Sequence, residues 1–594
     1  MSAFGFQRSR DELQEDAWGP LQRALHRWVI AHGGSKLLAR TAAWASLADA
    51  QADAALALAG PDAGWQGMSP PTADEIESLR REAMVGDGGG ADPTAFVIDA
   101  QARFYLWRNY IRERTIGRRL RERRQARAVA AGTIDEAGID ALFGDPESGD
   151  DSAQRDAVRQ LSHRRFGVLT GGPGTGKTTT VLRMLLMAQH HRQQAGLPPA
   201  RIAVAATTGK AAQRLLASLQ DGRRGLHARL SAQPADGWVA LLATLPATDA
   251  LTLHSLLGYR PHDGRFTRNR DLPLDADIVV VDEASMLDLA LLDALLEALP
   301  DRAQLFLVGD ADQLTSIGTG SVLLDLVAAM EGSDDLVRLR HGFRAQSARL
   351  PRLLAAARTG DVGGFEAAFD GGDAAWHRVT LPAQLDARLF AWAEWLATVP
   401  VLREGRARDA SEALAVLDAV AERQLLCALR EGRHGAVHAN VAIERELRRR
   451  WRLPPGSPWY PGRVVMVTRN DYAARLFNGD IGVCLADAEG GLRVWFAAAA
   501  GADGVRRARA FPPATLPTHE SAFAITVHKS QGSEYARVAL LLPPAPEHRV
   551  LTRQLVYTGL SRAREGVELW SGEQALAQAL TMPVRRIGGL GDWC

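Results

Sequence analysis

Hydrophobic and polar positions fall into two regimes along this chain. Residues 1 to about 140 carry apolar residues at helical spacing without strand-like alternation, broken by the Gly-rich GDGGGADP at 86–93, and the spacing predicts a helical domain. Beyond the polar stretch GDPESGDDS at 144–152 the pattern changes to short apolar runs that end in small or acidic residues: FGVLT (166–170), IAVAATT (202–208), DIVVVDEAS (277–285) and AQLFLVGD (303–310). Helical stretches such as TTTVLRMLLMAQHH separate them, which predicts a parallel sheet covered on both faces. A second set follows in VVMVTRN (464–470), SAFAITV (521–527), RVALLLP (537–543) and GVELW (566–570). Between its first two members lie LFNGDIGVCLAD, with the hairpin signal Asn478-Gly479, then LRVWF and the Pro-rich FPPATLP. The predicted organisation is a helical domain over 1–135, an α/β domain over 145–332, and a second α/β domain over 333–455 and 517–594, interrupted by a small all-β module at 456–516. No heptad array or fixed-period repeat is present.

A chain of 594 residues with 46% hydrophobic residues has room for several domains. Its charge is balanced, 70 Lys+Arg against 69 Asp+Glu, which argues against a polycation that coats nucleic acid and leaves room for a local basic groove. Only four of the basic residues are lysine: Lys36, Lys177, Lys210 and Lys529. Arginine serves for general surface charge, so each remaining lysine marks a place where a compact ammonium fits and a planar guanidinium does not. From Arg103 to Arg127 ten arginines stand against Glu113 and Glu122, a local charge of +8. Phe104, Trp107, Ile111, Ile116 and Leu120 fall near one helical face of that segment, which reads either as a solvated amphipathic helix or as a surface for nucleic acid or a partner. Three scattered cysteines, Cys427, Cys484 and Cys594, predict a reducing compartment. With no apolar leader and no run long enough to span a membrane, the expected location is the cytoplasm.

Candidate chemistry begins at Gly171, Gly172, Pro173, Gly174, Thr175, Gly176, Lys177, Thr178 and Thr179, which contain the pattern G-x-x-x-x-G-K-[ST] between a predicted strand and a predicted helix. Such glycines let the backbone curl so that N–H groups face phosphate oxygens, and the helix N-terminus adds a favourable dipole. Lys177 is placed to reach β- and γ-phosphates and the Thr178 hydroxyl to hold Mg²⁺. An acidic partner is expected on a neighbouring strand, and Asp282-Glu283 ends one: Asp282 as a Mg²⁺ ligand, Glu283 as the base that orients and deprotonates water. Gln313, in GDADQL after a third core strand, suits a group that senses the γ-phosphate. Arg562 in LVYTGLSRARE and Arg344 in RHGFRAQS are candidates for an arginine that meets transition-state charge.

Taken together, GGPGTGKTTT, AATTGKAAQRL, TLHSLLG, VVDEASM, VGDADQL, TVHKSQGSEY and VYTGLSRARE resemble, in order and spacing, the motifs of superfamily 1 helicases. Gln154 in SAQRDAV resembles that superfamily's upstream adenine-reading glutamine. RQLLCALREGRHGAVHAN, RLFNGDIGV and FYLWRNYIRERTI narrow the resemblance to the RecD family, the alpha subunits of RecBCD enzymes (exodeoxyribonuclease V), over about residues 100–570. Thr207 and Ser561 depart from it, standing where the family often has proline and threonine.

The resemblance implies two RecA-like P-loop domains with an SH3-like insertion in the second. It implies an ATP- and Mg²⁺-dependent 5′-to-3′ DNA helicase, the motor of a helicase-nuclease that processes double-strand ends for recombinational repair and degrades linear DNA. A stand-alone RecD-like helicase is the alternative. ATP would lie between the domains, with Arg344 and Arg562 coming from the second. Single-stranded DNA would run across Thr208, Lys210 and His254 on one side and Thr526, His528 and Ser530 on the other, with Lys210 and Lys529 either facing DNA or organising loops. The helical region would dock on a RecC-like gamma subunit. No D…ExK nuclease cluster is present, and in the family the nuclease belongs to a RecB-like beta subunit.

Overall fold

The computed structural model describes residues 18–63, 69–89, 93–126, 135–143, 151–231, 237–245, 250–340, 342, 349–369, 371–453, 456–498 and 505–594. Six parallel strands form its first large sheet, in the spatial order Leu336–Leu339, Phe166–Gly171, Gln304–Gly309, Ile278–Asp282, Ile202–Ala206 and Leu251–Thr252. Val279, Val281, Leu305 and Leu307 pack into one apolar cluster, and Ile278, Val280, Phe306 and Val308 into another on the opposite face. Burial on both faces is why these strands read as continuous apolar runs. Because all six point the same way, Gly171, Ala206, Asp282 and Gly309 end along one edge. Two expectations change. The strand ending in Asp282 is not the neighbour of the phosphate-loop strand, since Gln304–Gly309 lies between them. The first unit also runs past 332, because Leu336–Leu339 pairs with Val168–Gly171.

A second parallel sheet has the order Ala374–Arg378, Ala563–Ser571, Tyr535–Leu541, Arg423–Cys427 and Ala524–Thr526. Ala374–Arg378 and Arg423–Cys427 are additions to the predicted set; the first is a half-exposed edge strand and the second has only a short apolar centre. Five antiparallel strands form the third sheet: Arg507–Phe511, Leu492–Ala498, Ile481–Ala486, Val464–Val467 and His519–Ser521. Val464–Val467 lies in this module, inside the expected 456–516. The run SAFAITV splits between two sheets, which carries the module to Ser521, beyond 516. Asn478-Gly479 is no two-residue turn: it closes a long loop between paired Met466 and Ile481, with Gly479 at φ +93°.

The N-terminal region is not purely helical. Ala55–Ala57, Arg103–Leu106, Phe96–Ile98 and Val85–Gly86 form a four-stranded sheet, and Phe104 lies in it rather than on the helix. Strands this short show no alternation, and Ala55 finds its partner in Tyr105, far along the chain. Phe96, Ile98 and Phe104 face the helices Pro20–Ala31 and Lys36–Ala50, while Val97 and Tyr105 join the core beneath the first large sheet.

The helix Trp107–Gln125 buries Ile116 and Leu120 in that same core. Most of its arginines are internal ties. Arg123, 6% exposed, donates to the carbonyls of Leu299, Pro300, Asp301 and Ala303 at 2.9–3.4 Å. Arg124 pairs with Asp335 at 2.9 Å and donates to Cys594 O at 2.6 Å, and Arg121 donates to Trp593 O at 2.6 Å. Arg103 reaches Gly588 O at 2.7 Å and Asp592 at 2.5 Å. The C-terminal tail therefore returns to the N-terminal region. On the way, Arg586 donates to Gly318 O and Gly320 O at 2.8 and 2.7 Å. Arg123→Met should destabilise the first unit by about 2–3 kcal/mol, because it leaves buried carbonyls without donors. Differential scanning calorimetry of the full chain, resolving the transition of that unit, checks this.

Candidate functional site

A polar cavity opens along the C-terminal edge of the first sheet. Pro173, Gly174, Thr175, Gly176, Lys177, Thr178 and Thr179 line it together with Asp282, Glu283, Asp310 and Gln313, while Glu534 and Arg562 close it from the second unit. The loop leaves strand Phe166–Gly171 and turns into helix Lys177–Gln194 through Gly174 and Gly176, at φ +73° and +82°, conformations that favour glycine. Lys177 Nζ donates to Gly171 O and Gly172 O at 2.7 and 2.9 Å, and Thr175 Oγ1 donates to Gly172 O at 2.9 Å.

Gln154 stands against the phosphate loop. It is buried behind the loop, with Nε2 donating to Thr175 O at 2.9 Å, and it does not line the cavity. The loop packs so closely here that a Cβ on Gly176 would stand 2.6 Å from that nitrogen. Gln154 braces the loop.

Asp282 and Glu283 terminate strand Ile278–Asp282. Burial, then the neighbouring Glu283 charge, push the Asp282 carboxyl up to about 6, against the opposing pull of the Glu283 N–H and Lys177. Glu283 sits at φ +53°, a left-handed conformation that costs a non-glycine residue energy and re-aims the chain directly after the strand. Thr178 and Asp282 share the cavity, an oxygen donor set that suits Mg²⁺ beside phosphates.

Gln313 is 4% exposed, donates Nε2 to Asp310 at 3.0 Å, and keeps Oε1 buried without a partner among the described residues. Arg562 donates to Thr558 O and Ser561 Oγ, both at 3.2 Å. Burial lowers its pKa, and the Glu283 charge opposes that. Arg344 lies outside the described residues. Several residues inside the quoted motifs join the site without having been singled out. Arg214 on helix Gly209–Ser231 pairs across the cleft with Glu534, Thr558 Oγ1 accepts from Leu314 N at 2.8 Å, and Tyr557 Oη donates to Asp310 at 3.0 Å. A second cavity shares Pro173, Gly174, Thr175 and Glu534 with the first and is walled by Leu339, Leu350, Leu354, Arg358 and Tyr557.

The residues expected at DNA separate into two kinds. His254 is exposed and meets Tyr259 edge-on, with ring centroids 5.3 Å apart. His528 is half-buried on the turn His528–Ser530, and burial lowers its pKa. Thr208 accepts from Ala211 N at 3.2 Å at the start of its helix. Ser530 is fully buried with its hydroxyl on Val527 O at 2.7 Å, and Thr526, 8% exposed, accepts from Lys529 N at 3.4 Å, so both stabilise their own turn. Lys210 donates to Gly479 O at 3.1 Å, with burial pushing its pKa down to about 8, and Lys529 pairs with Glu520 at 2.5 Å. Both lysines organise loops. Lys36 is exposed at the first position of its helix.

Two family models match, an AAA domain over residues 154–319 and a UvrD-like helicase C-terminal domain over 521–569. The RecBCD enzyme subunit RecD of Mycobacterium tuberculosis is 38% identical over 440 residues, which cover 74% of this chain and 72% of that protein. The subunit of the same name from Haemophilus influenzae is 31% identical over 488 residues, covering 74% and 71%. The ATP-dependent RecD2 DNA helicase of Deinococcus radiodurans is 31% identical over 415 residues, 69% of this chain and 48% of that protein. This chain belongs to the RecD family of RecBCD enzyme subunits.

Proposed function

We infer that this chain is the ATP-driven 5′-to-3′ DNA helicase subunit of a RecBCD-type enzyme, working beside RecB-like and RecC-like subunits on double-strand DNA ends. The observation that carries the motor reading is the single cavity built from Lys177, Asp282, Glu283 and Gln313 of one α/β unit and Glu534 and Arg562 of the other. A nucleotide bound there touches both units, so hydrolysis changes how they close.

Lys177 and the loop N–H groups take the β- and γ-phosphates, Glu283 the proton of the attacking water, and Arg562 the charge that develops on the γ-phosphate. Thr178 and Asp282 would hold Mg²⁺, which would neutralise phosphate charge there. The second, more apolar cavity suits the nucleoside end of ATP, walled by Leu339, Leu350 and Leu354 in place of Gln154. Single-stranded DNA passes over the loops of Thr208 and His254 and of His528, with Lys210 and Lys529 shaping them from behind. The N-terminal region is the face offered to a partner subunit.

Strand displacement on forked DNA tests this. With ATP and Mg²⁺ and the partner subunits present, a fork with a free 5′ single-stranded tail should be unwound and one with only a 3′ tail should not be unwound by this subunit, its RecB-like partner having been inactivated. Unwinding from the 3′ tail alone would reverse the assigned polarity. Full processivity of the isolated chain with no affinity for either partner would favour the stand-alone reading.

A further inference from the structure

Asp310 and Tyr557 are 2% and 4% exposed at the junction of the two α/β units and in contact with each other; Asp310 lines the phosphate cavity and Tyr557 the adjoining second cavity. Asp310 follows strand Gln304–Gly309. One of its carboxylate oxygens accepts the Asp312 N–H at 3.1 Å, and the other accepts both Gln313 Nε2 and Tyr557 Oη, each at 3.0 Å. A carboxylate only accepts, so Gln313 must turn its NH₂ toward Asp310 and its Oε1 away. That oxygen is buried with no partner among the described residues, on a residue that lines the phosphate cavity.

Tyr557 reaches this point from the other unit, on helix Arg553–Leu560, five residues before Arg562. Its hydroxyl also touches the phosphate loop, since a Cβ on Gly172 would lie 3.0 Å from Oη. Next to it, Thr558 Oγ1 takes Leu314 N at 2.8 Å, so the helix grips the Asp310–Leu314 segment at two adjacent points. Lys177 lines the same cavity as Asp310, and its ammonium charge opposes the upward push that burial gives the Asp310 carboxyl. Without the Tyr557 hydroxyl, a buried carboxylate loses one of its donors and is drawn toward that ammonium, taking the Gln313 amide with it.

We propose that Tyr557 is a positioning residue for ATP hydrolysis: its hydroxyl completes the donor set of Asp310, and through Asp310 it holds the Gln313 amide in working orientation only while the two units are closed. This rests on the reading of Gln313 as a member of the hydrolytic site. Closure of the second unit is then felt at Gln313 by a route separate from the guanidinium of Arg562.

Steady-state ATPase assays with single-stranded DNA on the wild type, Tyr557→Phe, Gln313→Ala and the double variant test it. Tyr557→Phe should lower kcat about tenfold, the size of one hydrogen bond to a charged group, while KM for ATP and the affinity for single-stranded DNA stay within about twofold. In the Gln313→Ala background the same change should alter kcat by less than about twofold, because a residue that acts through Gln313 has nothing left to position. Asp310→Asn should lose at least as much as Tyr557→Phe. An unchanged kcat in Tyr557→Phe, or an undiminished loss in the Gln313→Ala background, overturns the proposal. Wild-type turnover in Gln313→Ala would remove the reading of the site as well, whereas a defective Gln313→Ala beside an active Tyr557→Phe overturns this inference alone.

Discussion

Lys177→Gln should reduce DNA-stimulated ATP hydrolysis by about a thousandfold or more while the chain stays folded. The ammonium is held over the phosphate loop by Gly171 O and Gly172 O and belongs to none of the apolar clusters, so its loss removes charge from the site without opening the core. A glutamine keeps roughly the length and loses the charge that β- and γ-phosphate oxygens meet. With only four lysines in the chain, no neighbouring lysine stands in: Lys210 is committed to Gly479 O and Lys529 to Glu520. Turnover within tenfold of wild type, measured by phosphate release at saturating DNA, would move the nucleotide away from this loop.

The second large effect is expected at Glu283. Glu283→Gln preserves shape and the left-handed backbone at φ +53°, and it removes the carboxylate base, so kcat should fall by about 10²–10⁴ while nucleotide still binds. The two substitutions differ in kind. Lys177→Gln should weaken binding of a fluorescent nucleotide as well as hydrolysis, and Glu283→Gln should affect hydrolysis alone. Equal loss of binding in both variants would make Glu283 a phosphate-side structural group and refute its role as base.

The phosphate loop, Asp282-Glu283 and Gln313 were legible because each is a contiguous string whose chemistry depends on neighbours a few residues away. The strands that carry them were legible for a related reason: burial on both faces writes an unbroken apolar run. The bond from the Gln154 amide to Thr175 O was not legible, since sequence position says that Gln154 is near the loop and not which side of the loop its amide faces. Ser530 and Thr526 were assigned to DNA on motif membership, and their hydroxyls serve the turn itself. The arginine-rich helix was left between a solvated face and a binding surface. Its end does something neither reading foresaw, because the acceptors of Arg123 and Arg124 lie at Leu299–Ala303, Asp335 and Cys594, while Arg108, Arg114, Arg118 and Arg121 form its exposed side.

Scarcity of lysine was a true signal of constraint: three of the four are locked onto carbonyls or a carboxylate in tight loops, where a compact ammonium fits. By itself the sequence picked out the residues that line the cavity from the first unit and the parallel α/β character of both units, because glycine conformation, strand burial and helix start are set within a few residues. Only the tertiary structure decided which groups meet across the cleft. Asp310 with Tyr557, Arg214 with Glu534, and Arg586 with Gly318 and Gly320 pair over more than two hundred residues of chain. No local pattern encodes such partners; they follow from how two separately folded sheets and a returning C-terminal tail pack together.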